Sequence, residues 1–331
     1  MYCMKKNVLI TGITGQDGTF LTKQLLETDS YNIIGTSREN DHEEFYQRLQ
    51  YLKLDSEKLS NLKITTSDLL NQKEKIESEI KNITFDYVYN LMGPGSVYES
   101  VIEPFSSSYT IVSSFKNLLN AFLETKQSPI FFQTSSSEMF GSTDQKDLEE
   151  NSQFNPISPY ANSKYYIHKM LSFYRDRYDW NLSSGILFNH ESEFRPDEYL
   201  IMKIINAAIN IKNKNQKLLE VGSLELIRDW GYARDYTLAM KMILEKKPGE
   251  DYVIGSGVGT SIKEIVNYVF SYFDMDYKQF VTINPKLLRA NEPNKIVSNP
   301  TKIYEDIGWK AKTNLEEIIQ KCISYKLNTK G

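Results

Sequence analysis

Short apolar runs alternate with longer amphipathic runs through the first half of the chain. The apolar runs have the length of strands that are buried on both faces, and they occupy residues 7–11, 31–37, 62–66, 85–91, 129–134 and 182–188. Between them, helical spacing of apolar residues recurs over residues 20–26, 41–59, 72–81, 104–126 and 158–178. This order predicts an α/β fold, with a parallel sheet covered by helices on both faces.

A glycine-rich turn joins the first predicted strand to the first predicted helix. In the stretch GITGQDG, three glycines recur at three-residue spacing. The first suits a tight turn, the second lets the backbone approach a diphosphate, and the third lets the helix pack closely on the strand. The turn therefore predicts a dinucleotide site at the helix N-terminus, against the alternative of a glycine turn without a ligand. The expected contacts are Gly12, Thr14, Gly15, Gln16, Asp17 and Gly18.

The regular alternation ends near residue 188, where prolines and charged residues follow. We therefore predict a Rossmann-like, doubly wound parallel sheet that binds the cofactor over residues 1–188. A smaller C-terminal α/β domain that binds the substrate is predicted over residues 189–331. Residues 251–255 have the pattern of another buried strand, which we expect to return to the first sheet.

Composition and charge argue against several functional classes. The chain has 331 residues, 25% of them charged, and a net charge of −4, which is typical of an ordinary globular protein. We see no basic stretch with interleaved aromatics and no membrane span or signal peptide, so we expect a cytoplasmic protein without nucleic-acid or membrane partners. Reduced cysteines and no metal site are expected, because metal-ligand spacing is missing among Cys3, Cys322, His42, His168 and His190.

The end of the second predicted strand favours one nicotinamide cofactor over the other. Ser37 and Arg38 stand there, where an acidic residue would bind the ribose 2′-hydroxyl of NAD. A hydroxyl and a guanidinium suit a 2′-phosphate, so we predict NADP over NAD. Alternatively, Arg38 is a solvated turn residue, and Glu39 determines the choice between NADP and NAD. Asp68 and Leu69, after the third strand, are expected to contact the cofactor. Asp68 would contact the adenine or, alternatively, cap its loop.

Candidate acid–base residues follow the fifth predicted strand. Tyr160 and Lys164 are spaced i, i+4, so they share one side of a helix that Ser158-Pro159 is expected to start. Because a nearby ammonium favours the phenolate, Tyr160 is predicted as a general base that Lys164 tunes. YxxxK is also common on exposed helices, so its position matters. Residues 135–138 follow the fifth strand, at the sheet edge where ligands of parallel sheets bind.

These motifs resemble those of the extended short-chain dehydrogenase/reductases and, within them, the GDP-mannose 4,6-dehydratase family. The resemblance runs along almost the whole chain. It rests on GITGQDG at 12–18, NL at 90–91, SSSEMFG at 135–141, SPYANSK at 158–164, ILFNHES at 186–192, RDWGYARDY at 228–236 and DIGWK at 306–310. GQDG combined with LFNHES is much more restrictive than the general pattern.

The resemblance implies a lyase that removes water from a nucleotide sugar. Its implied catalytic residues are Ser136, Glu138, Tyr160 and Lys164, with Ser136 in place of the family's threonine. In the implied reaction, Tyr160 takes the proton of the sugar 4-hydroxyl while hydride leaves carbon 4 for NADP. Glu138 then removes the proton on carbon 5 and protonates the departing 6-hydroxyl, and hydride returns to carbon 6. GDP-mannose is the first expected substrate, and the product would be a GDP-4-keto-6-deoxy sugar.

The resemblance also implies a substrate site, although its specificity stays open. Further implied contacts are Leu91 on the cofactor side and, on the substrate side, Ser96, Asn189, Lys203, Arg228, Arg289 and Glu292. Residues 92–96 depart from the family pattern, and Glu193 and Phe194 replace its proline and arginine. A GDP-heptose or another nucleotide sugar, a 4-epimerase or 4-oxidoreductase, and non-catalytic NADP binding therefore remain as alternatives. A homo-oligomer, dimer or tetramer, is expected.

Overall fold

A computed structural model of the protein describes residues 4–71, 73–93, 95, 97–143, 145, 147–288 and 292–329. Its strands are β1 Lys6–Thr11, β2 Tyr31–Ser37, β3 Leu62–Thr66, β4 Tyr87–Asn90, β5 Ile130–Ser136, β6 Leu182–Leu187, β7 Asn189–Glu191, β8 Leu219–Val221, β9 Ile227–Tyr232, β10 Asp251–Ile254, β11 Gly259–Ser261, β12 Val281–Ile283 and β13 Lys295–Ile296. Its α-helices are α1 Gln16–Leu26, α2 Glu43–Tyr51, α3 Lys73–Asn82, α4 Val97–Ile102, α5 Pro104–Glu124, α6 Pro159–Tyr178, α7 Leu200–Lys212, α8 Ala233–Lys246, α9 Ile262–Tyr272, α10 Thr301–Ile307 and α11 Leu315–Thr329.

The main sheet is parallel and has the strand order β10-β6-β5-β4-β1-β2-β3. Every strand predicted in the first half of the chain belongs to it, at nearly the predicted bounds. Successive residues of β1 face opposite cores, since Val8 and Ile10 pack into one hydrophobic cluster and Leu9 into another. The predicted α/β fold with a doubly wound parallel sheet is therefore confirmed.

Helices cover both faces of this sheet. On one face, buried residues of α1, α2, α8 and α10 share a cluster with Val8 and Ile10. On the other, buried residues of α3, α5 and α6 share a cluster with Leu9. Because helices cover both faces of the sheet, side chains on both sides of each strand are buried. The strands are therefore continuously apolar and lack the alternation of apolar and polar residues that a half-exposed sheet shows.

Two elements from the second half of the chain belong to this first sheet. Strand β10 pairs with β6 in the register Asp251↔Ser184, as expected for the run at 251–255. Helix α8 packs Tyr236, Met240 and Ile243 under the same sheet. The division of the chain at residue 188 stays a prediction, and the sheet itself continues beyond that residue through β10.

A smaller unit follows the sheet. Strands β7, β11 and β13 each pair with β9, and β8 pairs with β12. Helices α7, α9 and α11 pack around a separate cluster that includes Ile204, Val266 and Ile319. Strand β7 starts just after β6 ends, so the chain passes directly from the large sheet into this unit.

Two helices differ from the sequence expectation. The helix expected over 41–59 ends at Tyr51, and a 3-10 helix over Ser56–Asn61 follows. Between them Lys53 adopts a left-handed φ of 60°, and Asp55 caps the second piece by accepting from the amide of Glu57 at 3.1 Å. Helix α4 was not predicted at all. Its six residues are too few to show a helical period in the sequence.

Candidate active site

A cleft of about 440 Å³ lies at the carboxyl ends of the sheet strands, where they meet the smaller unit. The strand order of the sheet reverses between β1 and β4, which is where open α/β sheets bind ligands. Residues from both the cofactor side and the substrate side of the sequence prediction line this cleft. They are Asp17, Leu91, Ser136, Glu138, Tyr160, Lys164, Asn189, Lys203, Arg228 and Glu292.

The end of β5 places a hydroxyl and a carboxylate together. Ser136 ends the strand with an extended backbone and caps the 3-10 helix Ser137–Phe140. Its Oγ accepts a hydrogen bond from the backbone amide of Glu138 at 3.2 Å. Met139 and Phe140 turn into the core, whereas Ser136 and Glu138 line the cleft. The tight turn thus fixes the spacing of the two candidate catalytic side chains.

Helix α6 carries the Tyr–Lys pair near its start. As predicted, Ser158 caps the helix, with its Oγ accepting from the amide of Ala161 at 3.1 Å, and Pro159 is the first helical residue. The ammonium of Lys164 is buried and donates to the carbonyl oxygen of Thr134 at 3.0 Å. It lies 5.8 Å from the centre of the Tyr160 ring. Both side chains line the cleft beside the end of β5.

Burial controls the protonation of both residues. It raises the pKa of Tyr160 to about 12; a hydrogen bond with Ser136 opposes this rise, and the carboxylate of Glu138 adds to it. Burial also lowers the pKa of Lys164 to about 8. The sequence predicted that the Lys164 ammonium would lower the pKa of Tyr160. In the structure desolvation dominates, because it disfavours the charged form of each group, and the cation that lowers the pKa of Tyr160 is Arg195.

The glycine turn has the backbone that a bound dinucleotide requires. Gly12 adopts a left-handed φ of +68°. A Cβ on Gly18 would lie 2.3 Å from the carbonyl oxygen of Ile13, so a side chain there would push α1 away from the turn. Helix α1 begins at Gln16, directly after the turn, and its N-terminus is suited to a diphosphate. These residues fit a nicotinamide dinucleotide.

One predicted cofactor contact has its side chain committed elsewhere. The Gln16 side chain donates through Nε2 to the carbonyl oxygen of His190 at 3.2 Å and accepts from Ser192 Oγ at 2.8 Å. Both groups belong to the segment that contains β7. The Gln16 amide therefore joins α1 to the substrate side of the cleft instead of pointing toward a dinucleotide.

Of the residues predicted at the adenine end of the cofactor site, some lie beside the glycine turn and others have their side chains engaged elsewhere. Ser37 is buried, with its Oγ 3.4 Å from the Thr14 hydroxyl, and Arg38 is exposed beside it. The Asp68 carboxylate accepts from the backbone amide two residues later at 2.9 Å, which is the loop cap that the sequence left open. The Leu69 side chain packs into the core.

The predicted substrate residues approach one another on the far wall of the cleft. Arg228 of β9 donates to Glu292 at 2.6 Å, and both side chains are largely buried. Asn189 lies on β7, which pairs with β9, and Lys203 is exposed on α7. Two further predicted substrate residues, Ser96 and Arg289, lie outside the described residues.

Sequence reasoning missed a group of charged and aromatic residues in the wall of the cleft, formed by Glu191, Arg195 and Tyr199. The guanidinium of Arg195 lies 3.5 Å from the centre of the Tyr199 ring, and its Nε is 3.5 Å from Glu191 Oε2. Glu191 is 2% exposed; burial raises its pKa, and Arg195 opposes that rise. All three line the cleft, and Arg195 also lowers the pKa of Tyr160. The only signal in the sequence was the presence of charges directly after a buried strand.

Other kinds of site are not seen in the described part of the chain. No group of three or more His, Cys, Asp or Glu side chains is arranged to hold a metal ion there. No described helix is both long and apolar enough to cross a membrane. Cys322 is a buried free thiol, and Cys3 lies outside the described residues.

Comparison with known sequences places the chain among dehydratases. The sequence model of the family described as GDP-mannose 4,6 dehydratase matches residues 9–322. The GDP-mannose 4,6 dehydratase 1 of Arabidopsis thaliana is 32% identical over 329 residues, which cover 98% of this chain and 90% of the relative.

Comparison with solved structures supports the fold. A UDP-glucose 4-epimerase from Thermotoga maritima, solved with UDP-glucose, has a TM-score of 0.83 at 21% identity, covering 98% of this chain and 100% of that one. A dTDP-glucose 4,6-dehydratase from Streptomyces venezuelae, solved with NAD, has a TM-score of 0.84 at 18% identity, covering 98% of each chain. Because an epimerase and a dehydratase match equally well, the fold alone does not distinguish the two reactions, and the residues of the cleft do.

Proposed function

The chain belongs to the GDP-mannose 4,6-dehydratase family, as its motifs indicated, and from this premise we propose that it is a nucleotide-sugar 4,6-dehydratase. The proposed substrate is a GDP-hexose, with GDP-mannose first, and the product is the GDP-4-keto-6-deoxy sugar. A GDP-heptose is the second candidate substrate, because residues 92–96 of this chain differ from the pattern of the family.

The observation that carries this proposal is the position of Glu138. Its carboxylate lines the same cleft as Ser136, Tyr160 and Lys164, and it is close enough to Tyr160 to raise the pKa of that phenol. A 4-epimerase or a 4-oxidoreductase acts on carbon 4 alone. Removing water across carbons 5 and 6 needs one more acid–base group, and Glu138 supplies it.

Two side chains of the protein carry out the two proton transfers, Tyr160 at carbon 4 and Glu138 at carbons 5 and 6. Tyr160 accepts the proton of the sugar 4-hydroxyl, and the Ser136 hydroxyl favours the phenolate by its hydrogen bond. Lys164 holds its ammonium against Thr134 next to the tyrosine ring. Once carbon 4 is a ketone, the proton on carbon 5 becomes acidic. Glu138 removes that proton and gives one to the departing 6-hydroxyl, so that water leaves.

The proposed cofactor is NADP, held by the glycine turn and by Ser37 and Arg38. Bound NADP would accept a hydride from carbon 4 and return it to carbon 6, so no external oxidant would be consumed. The exposed guanidinium of Arg38 beside the buried Ser37 hydroxyl supports NADP, since both suit a 2′-phosphate. The choice between NADP and NAD is tested by measuring the dissociation constants of both cofactors for the wild type and for Arg38→Ala.

The proposed GDP site lies on the far wall of the cleft. Asn189, Lys203 and Arg228 are suited to the nucleotide and its diphosphate, and the Arg228–Glu292 ion pair fixes the direction of that guanidinium. The predicted contacts Ser96 and Arg289 remain part of this proposal from the sequence alone.

The first experiment is a mass spectrum of GDP-mannose, and in parallel of a GDP-heptose, after incubation with the protein and NADP. Loss of one water without accumulated NADPH is the expected result. Loss of two hydrogens with accumulated NADPH would mean an oxidoreductase. An unchanged mass for both sugars, while NADP still binds, would favour the epimerase or the non-catalytic hypothesis.

We also propose a homo-oligomer that uses the surface of α4, α5 and α6. Exposed apolar side chains share this surface, with Phe105 89% and Tyr109 64% exposed one turn apart on α5. Val101 on α4 and Phe173 on α6 extend it. Large exposed apolar side chains on helices that pack together are typical of a contact between copies of a chain.

A further inference from the structure

His190 lies between the cofactor turn and the substrate strand, and the proposed reaction gives it no role. It belongs to β7, and its side chain is 13% exposed. Its Nε2 lies 3.0 Å from Asp17 Oδ2, and its Nδ1 lies 2.8 Å from the carbonyl oxygen of Phe188. A carboxylate and a carbonyl both accept hydrogen bonds only. Both contacts therefore require a hydrogen on each ring nitrogen, which is the imidazolium form.

Charged and titratable groups from each element around His190 act on this cation. Asp17 faces it from α1, Glu191 from β7 and Arg195 from the segment after β7. From α8, the ring of Tyr236 lies against it, with the ring centres 4.7 Å apart. Burial lowers the pKa of His190, and the charge and hydrogen bond of Asp17 raise it by more, so the net pKa is raised.

Asp17 stands where its charge affects a bound diphosphate. It lies in the first turn of α1, directly after the glycine turn, and it lines the cleft. Its Oδ1 is buried and has no hydrogen-bond partner among the described residues. A carboxylate at this end stabilises the helix through its dipole, but it repels an anion that binds the same N-terminus. A cation paired with Asp17 removes that repulsion.

A second pair of contacts fixes His190 in place. The Gln16 side chain holds the carbonyl oxygen of His190 and the hydroxyl of Ser192, at 3.2 Å and 2.8 Å. Gln16 and Ser192 are both buried. The first turn of α1 and the strand β7 are therefore locked together, and the imidazole is presented to Asp17 in one orientation.

We propose that His190 is a positioning residue of the dinucleotide site that acts through Asp17, neutralising and orienting this carboxylate so that a dinucleotide diphosphate binds at the start of α1. The inference rests on the proposed cofactor site. Under this proposal, the affinity for the cofactor depends on the protonation of His190. Because the pKa of His190 is raised on folding, neutralisation is complete below the ordinary pKa of histidine and is lost as the pH rises through the raised value.

The test is the dissociation constant of NADP and of NAD, measured by titration calorimetry from about pH 6 to about pH 9. The wild type should bind about tenfold more weakly at the alkaline end, as expected for one uncompensated charge near the ligand. His190→Asn should bind weakly at every pH. Asp17→Asn should bind with an affinity that does not change with pH, because it has no carboxylate to neutralise. The matched control His168→Asn, which removes a buried histidine of α6, should behave like the wild type.

NAD isolates the contribution of the protein, because the 2′-phosphate of NADP itself titrates near pH ~6. Wild-type binding of NAD that does not change with pH overturns the inference, as does a pH dependence that survives in Asp17→Asn. Either result leaves the proposed function intact. If neither cofactor binds the folded wild type at any pH, the proposed function fails as well. Should His190→Asn fail to fold, Asp17→Asn still decides, because it retains His190.

Discussion

At the scale of single residues, the cleft shows how position changes the chemistry of ordinary side chains. Tyr160 and Lys164 are both buried, and burial moves their pKa values apart, to about 12 and about 8. Neither value follows from the i, i+4 spacing of the pair. Among the charged groups, Glu138 raises the pKa of Tyr160 and Arg195 lowers it, and both side chains line the cleft.

Glu138→Gln separates the dehydratase from its alternatives. Glutamine keeps the shape and loses the base, so the loss of water should fall by about 10²–10⁴ while hydride transfer to NADP remains. Mass spectrometry and NADPH absorbance measure the two steps separately. Glu198→Gln is the matched control, because Glu198 also lines the cleft, and it should keep most of the activity. Unchanged water loss in the Glu138 variant would remove the assigned mechanism.

Arg195→Leu should weaken Tyr160 as a base. Removing the cation takes away one of the effects that lower the pKa of Tyr160. The tyrosine stays protonated to a higher pH, so kcat at neutral pH should drop by about tenfold and recover as the pH rises. The pH profile of kcat measures this shift. Arg195→Lys keeps the charge and should restore most of the activity. Equal losses at all pH values in both variants would mean a packing role alone.

At the scale of elements, helix starts position the candidate catalytic groups. Ser136 caps the 3-10 helix that presents Glu138, and Ser158 caps α6 two residues before Tyr160. Each cap satisfies an amide that the helix cannot satisfy itself. The first turn is the part of a helix that frays first, so the caps also control the precision of the site.

Ser158→Ala should therefore affect catalysis more than stability. We expect a loss of about 1 kcal/mol in the free energy of unfolding and a larger relative loss in kcat, because the first turn of α6 carries Tyr160. Ser261→Ala is the matched control, since Ser261 forms a capping box at the start of α9 outside the candidate catalytic group. It should cost similar stability and leave kcat nearly unchanged. Denaturant unfolding and steady-state kinetics provide both readouts. A parallel loss of kcat in the two variants contradicts this expectation.

At the scale of the whole molecule, the cleft depends on how the sheet and the smaller unit are joined. Asp229 of β9 accepts from the amides of Ser256 and Gly257 at 2.9 Å and 3.0 Å, just after β10 leaves the large sheet. Strand β7 joins the same smaller sheet directly from β6. The two walls of the cleft are thus joined by a strand pairing and by hydrogen bonds to the buried carboxylate of Asp229.

Phe105→Lys combined with Tyr109→Lys tests the proposed contact between copies. Two charges on the exposed apolar face of α5 should prevent its burial against a second copy and convert the oligomer to a monomer. Light scattering after size exclusion measures the mass. Tyr304→Lys on α10 is the control, because this side chain is 59% exposed on another surface, and it should leave the mass unchanged. A monomeric wild type contradicts the proposal.

The sequence was sufficient to predict the strands of the large sheet, the glycine turn and the start of α6, because each depends on a local pattern of burial, glycine or capping residues. It also placed Ser136, Glu138, Tyr160 and Lys164 in one cleft, since the ends of parallel strands meet at one edge. The structure was needed to show that Gln16 binds β7, that Arg195 lowers the pKa of Tyr160 and that burial dominates the pKa values of Tyr160 and Lys164. These features depend on desolvation and on contacts between residues far apart in the chain, which no local pattern records.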